Sequence, residues 1–96
     1  MSYRVEISPE AQKEIAALSG YVRAPALKLL RSLKENPRPP RARELRDRPN
    51  IYRLWLVKKW RIVYSVDEDR KLVLVLRVRR KEYIDYEDLE PLPLHD

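Results

Sequence analysis

At 96 residues, with 21 Lys and Arg against 15 acids and a net charge of +6, this chain has room for one modest core and a surface that attracts polyanions. It holds no cysteine, one histidine (His95) and one glycine, which excludes disulfides, thiolate chemistry, a Cys–His zinc site and a glycine-rich phosphate loop. The charge is uneven: six acids and no Lys or Arg follow Lys81, so the body up to Lys81 carries +12.

Tyr3, Val5 and Ile7 alternate with Arg4 and Glu6, the pattern of a short half-buried strand. Ser8-Pro9-Glu10 is a helix start, with a capping hydroxyl, a proline suited to the first position and an acid at the positive dipole end. Ala11, Ile15 and Leu18 mark the buried face of that first helix up to Gly20, its expected C-terminal cap. A second helix is expected from near Val22 or Ala24 to Glu35, with Pro25 in its first turn and Ala26, Leu29, Leu30 and Leu33 as its stripe. Residues 37–49, PRPPRARELRDRP, carry five arginines and four prolines, with a brief extended pairing near Ala42–Leu45. As a loop this is a solvated connector or an electrostatic contact for RNA phosphates, with Arg43 and Arg46 among the candidate ligands.

Ile51 to Val66, IYRLWLVKKWRIVYSV, alternates as two strands meeting at Lys58-Lys59. Tyr52, Leu54 and Leu56 share one face of the first strand, with Arg53 and Trp55 on the other. In the second, Trp60, Ile62, Tyr64 and Val66 oppose Arg61, Val63 and Ser65. After the turn Asp67–Arg70, Leu72, Leu74, Leu76 and Val78 make the apolar set of a third strand, against Val73, Val75, Arg77, Arg79 and Lys81. With the apolar sets on the core, Arg53, Arg61, Arg77, Arg79 and Lys81 share an exposed cationic face. Trp55, Tyr83 and Tyr86 add rings to it, and Arg80 adjoins it. Aromatics among cations suit RNA, since bases stack on rings and guanidinium forks meet phosphates. Arg61, flanked by Trp60 and Ile62, is expected to emerge into solvent beside Arg53.

The tail 82–96, EYIDYEDLEPLPLHD, is expected either to make one helical turn around Tyr83–Leu89 and then fold back on the basic face or be displaced by a partner, or to be a frayed, solvated terminus. With no hydrophobic signal region and no spanning run, a single cytoplasmic domain over 1–96 is expected, with no membrane contact, no cofactor and no metal.

YRVEISP at 3–9, the stretch 36–54 (NPRPPRARELRDRPNIYRL), WRIVYSVDED at 60–69 and VLVLRVRRKE at 73–82 together resemble the RelE branch of the RelE/ParE toxin superfamily, over almost the whole chain. The resemblance implies an α+β fold: an N-terminal strand, a helical hairpin, then an antiparallel meander with the helices packed on one sheet face. It implies a metal-independent endoribonuclease cutting messenger RNA, usually on the ribosome, by attack of a ribose 2′-OH on the adjacent phosphate. It places basic residues at Arg53 and Arg61 and a third at Arg80 or Lys81, where strand parity favours Lys81. A carboxyl-terminal tyrosine completes the site, matched by Tyr86 or, failing that, Tyr83. Trp55 stands where a second lysine occurs in the family, and Lys81 replaces an arginine. Partners implied are mRNA, the ribosome and a cognate antitoxin, with a heterotetramer as one assembly the resemblance allows. The alternatives are a ParE-like inhibitor of DNA gyrase, a branch generally without this basic set, and a non-catalytic RNA-binding module.

Overall fold

A computed structural model describes residues 2–84. Its elements are β1 (Arg4–Ile7), α1 (Pro9–Ala16), α2 (Gly20–Ser32), β2 (Arg43–Leu45), β3 (Arg48–Trp55), β4 (Trp60–Asp67), β5 (Leu72–Arg80) and a 3-10 turn at Lys81–Tyr83. The sheet runs β1-β5-β4-β3-β2. The meander β3-β4-β5 is antiparallel, whereas β1 lies parallel to β5, from Arg4 beside Leu72 to Ile7 beside Val75.

The start of α1 follows the sequence: Ser8 accepts the Ala11 N–H at 3.1 Å, and Pro9 opens the helix. Its end does not, for Gly20 is no cap but the first residue of α2. α1 stops at Ala16, and Arg23 reaches back from α2 to donate to the Ile15, Ala16 and Leu18 carbonyls at 3.3, 2.9 and 2.6 Å. One guanidinium thus satisfies the acceptors that a helix end leaves open. α2 therefore begins earlier than expected, ends at Ser32 rather than Glu35, and carries Pro25 within it instead of in its first turn.

Both helices lie over one face of the sheet. Ala11, Ile15, Val22, Ala26, Leu30 and Leu33 meet Tyr52, Leu54, Ile62, Tyr64 and Val66 there in the main core. Tyr64 is wholly buried and stacks on Tyr52 at 5.7 Å between centroids, and its hydroxyl donates to the Pro37 carbonyl at 2.8 Å. Burial pushes that hydroxyl above the usual phenol range.

β5 departs from the simple alternation. Val63 pairs with Arg77 but Tyr64 with Val75, so Leu76 is an extra residue and Leu76 and Arg77 fall on the same face. Val73, Val75 and Val78 join the helix-side core, while Leu74 and Leu76 turn the other way. There they close a second, smaller core with Ile51 and Val63, against which Leu45 and Ile84 pack. The face opposite the helices is thus apolar at its centre, and cations occupy one end of it.

The far end of the sheet is tied by Glu68. It accepts from the Tyr3 hydroxyl at 2.8 Å and Lys71 Nζ at 3.1 Å, and it pairs with Arg38, whose Nε donates to the Tyr52 hydroxyl at 2.8 Å. These donors, Arg38 foremost, hold the Glu68 carboxyl down at about 2. The central residue of the acidic turn thus joins Tyr3, Arg38 and Lys71.

Candidate functional site

Residues paired directly across antiparallel strands share a face, so strand register fixes which side chains are brought together. Two rows cross the face away from the helices. One runs Arg43–Arg53–Val63–Arg77 from β2 to β5, and the next runs Trp55–Arg61–Arg79 from β3 to β5. Sequence reasoning thus assigned Arg53, Trp55, Arg61, Arg77 and Arg79 to the correct side, and Arg43 joins them through β2.

Within the rows the cations differ in what they can do. Arg53 is exposed, and no carboxylate of the described residues pairs with it. Arg43 is exposed and donates to the Pro40 and Ala42 carbonyls at 3.1 and 3.3 Å. Arg77 is half-buried, with one nitrogen 2.7 Å from the Leu76 carbonyl. Arg79 is drawn to the sheet edge, where it pairs with Glu14 of α1 and donates to the Tyr83 carbonyl at 3.0 Å. Glu14 also accepts the Val78 N–H at 2.8 Å, so this carboxylate caps the part of β5 that β1 leaves uncovered and removes most of Arg79's charge from the site.

Arg61 corrects the sequence expectation of an exposed guanidinium. The face is the expected one, but the residue is only 3% exposed. Its guanidinium carbon lies 3.4 Å from the centroid of the Trp55 ring, a cation–π contact between cross-strand partners. Alternation tells which way a side chain points, and a tryptophan on the neighbouring strand decides how deeply it is covered. Trp55 itself is 50% exposed.

At the end of β5, Arg80 pairs opposite Trp60, on the helix side of the sheet, and forms an ion pair with Glu82 at 3.1 Å. It is therefore parted from the two rows. Lys81 corrects the expectation that strand parity sets its face: β5 ends at Arg80, and Lys81 is exposed at the start of the 3-10 turn, its N–H donating to the Lys59 carbonyl at 2.6 Å. Tyr83 is 65% exposed two residues on. Tyr86 and the rest of the tail lie outside the described residues. Arg46 sits exposed in the β2–β3 turn, away from the cationic end. Among the described residues no group of acids and histidine has the proximity to hold a metal ion, and no helix is long and apolar enough to cross a membrane.

Two contributors escaped sequence reasoning. They are Glu14, which the sequence pattern does not single out, and Arg38, one of five arginines in the 37–49 stretch. Neither has a local sequence signal: Arg38 finds Tyr52 and Glu68 14 and 30 positions away, and Glu14 finds Arg79 65 positions away.

A family model described as the ParE toxin of type II toxin–antitoxin systems, parDE, matches residues 5–83. Among solved structures, the fold is similar to an E. coli toxin RelE carrying two substitutions, in the free state, at 31% identity and a TM-score of 0.74 over 85% of this chain and 86% of that one. It is similar to the intact E. coli RelBE toxin–antitoxin complex at 30% identity and 0.74, over 82% and 96%. The isolated E. coli RelE toxin matches at 29% and 0.75, over 90% and 92%. No curated protein matches the chain by sequence.

Proposed function

This chain belongs to the RelE/ParE superfamily and is a toxin of a type II toxin–antitoxin system; from that premise we propose that it is an endoribonuclease that cuts messenger RNA on the ribosome without a metal ion. The observation that carries this reading is the pair of cross-strand rows that sets Arg53, Trp55, Arg61 and Arg77 together on one sheet face. In the proposed reaction a ribose 2′-oxygen attacks the adjacent phosphorus, and the bond to the 5′-oxygen of the next nucleotide breaks. The products carry a 2′,3′-cyclic phosphate and a free 5′-OH.

The pentavalent phosphate gains negative charge on the way, and cations already in place stabilise it more than they stabilise the substrate. Exposed Arg53 is the phosphate clamp, with Arg77 and Arg43 along the same row as binding groups. Arg61 acts from beneath: its charge is held in a low-dielectric layer, where its field at the surface is less screened than that of a solvated cation. Arginine does not release a proton at neutral pH, so proton transfer falls to Lys81 and to Tyr86 of the tail. A gyrase-directed reading is favoured by the description of the family model that matches, and the arginine rows weigh against it.

The solved complexes of E. coli RelE with RelB support a cognate antitoxin as partner of this chain too. The body's charge of +12 suits an acidic segment laid across the sheet, steering fast association. The test of the reaction is cleavage of ribosome-bound mRNA, in buffer that holds only the magnesium the ribosome needs, with analysis of the product ends. Cyclic phosphate and 5′-OH ends are expected; 5′-phosphate ends would refute the mechanism.

A further inference from the structure

The ring of Trp55 has two faces, and the structure assigns them different neighbours. Arg61 lies against one, 3.4 Å from the ring centroid. On the other flank no β2 residue stands beside Trp55, because the β2–β3 pairing stops at Arg43–Arg53. Half the residue is exposed accordingly. An indole held flat by a cation beneath it, and open above, is a stacking surface with its conformational freedom already reduced. Arg53 follows on the same face of β3, two residues and roughly 7 Å back along the strand, a span that one nucleotide bridges from base to phosphate.

We infer that Trp55 is the platform on which a nucleobase of the RNA stacks, next to the phosphate that Arg53 clamps, in a three-layer stack of guanidinium, indole and base. The inference rests on the RNA reading above and adds to it a specificity-determining residue. A cation under the ring withdraws π-electron density from its open face, which favours electron-rich, large-area bases; purines should therefore be preferred over pyrimidines at this position. Arg61 then has a positioning role as well as a field: it fixes the plane of the indole.

The experiment uses the full chain with Trp60→Phe, so that Trp55 is the sole indole, and short 2′-O-methyl RNA oligonucleotides that cannot be cleaved. Three oligonucleotides differ at one position only: adenine, uracil or an abasic sugar. Binding is read by anisotropy of a labelled oligonucleotide, and stacking by quenching of Trp55 fluorescence. Quenching should saturate with the same dissociation constant as binding. The adenine oligonucleotide should bind more tightly than the abasic one by roughly 5- to 150-fold, the range for one base–aromatic stack, with uracil between them. Trp55→Leu should erase the difference between the three, and Trp55→Phe should keep most of it. Binding without quenching, or a base preference that survives Trp55→Leu, would overturn the platform while leaving RNA binding intact. Failure of all three oligonucleotides to bind even at low salt would instead overturn the RNA reading, and the platform with it.

Discussion

Substituting Arg61 by methionine and by alanine separates its charge from its packing. Methionine keeps an unbranched stem of similar length in the layer between Trp55 and the sheet, and alanine leaves that layer empty. At 3% exposure the guanidinium carries a desolvation cost, offset in part by its contact with Trp55, worth about 2 kcal/mol when desolvated. Arg61→Met gives up that contact and the desolvation cost together and keeps the layer filled, so it should destabilise less than Arg61→Ala. Arg61→Ala also forfeits the stem and opens a void, so it should cost about 2 kcal/mol. For a domain of this size that lowers the melting temperature by roughly 8–16 °C. Both variants should lose about 10²-fold in cleavage, the scale for one preorganised charge-stabilising group. Thermal melts and cleavage of ribosome-bound mRNA, measured on the same preparations, provide the check. An Arg61→Ala protein that melts like the parent would show the side chain to be exposed. Full activity in Arg61→Met would show that its charge has no part in the site.

The remaining predictions concern the frame. Glu68 has its carboxyl depressed from 4.5 to about 2 in the fold by Arg38, Tyr3 and Lys71. Its contribution is therefore fully present above about 4.5 and is lost as pH falls towards about 2. The gap in melting temperature between the parent and Glu68→Gln should close across that window, and a gap that stays constant would refute the clasp. Ile51, 2% exposed in the second core, should cost about 2–5 kcal/mol in urea unfolding when cut to alanine; a cost under about 0.5 kcal/mol, typical of a surface position, would refute that core.

The faces of β3 and β4 were legible in the sequence because Arg53 and Arg61 each stand between apolar neighbours, but the register was not: Arg61 pairs with Trp55, and Arg53 with Val63. The faces of β5 were not. Val73 and Val75 are as apolar as Leu72, Leu74 and Leu76, so alternation could not tell the two sets apart, and the extra residue at Leu76 has no signature in composition. The single glycine misled for a related reason. Gly20 is well suited to end a helix, but Arg23 does the capping, and a guanidinium reaching back between helices leaves no local pattern. At the site, the face of each arginine followed from parity. Its availability did not, because Glu14 reaches Arg79 from α1 and Trp55 covers Arg61 from the neighbouring strand.

RelE-like RNA cleavage and ParE-like gyrase inhibition are separated by running one preparation of the toxin through two assays. In the first, ribosomes programmed with a defined mRNA are incubated with toxin in EDTA-chelated buffer that retains only the magnesium the ribosome needs, and primer extension maps the breaks. In the second, gyrase supercoiling of a relaxed plasmid is followed at the same toxin concentrations. The account predicts discrete mRNA breaks that disappear with Arg53→Met, and unchanged supercoiling. Inhibited supercoiling with intact mRNA would contradict it.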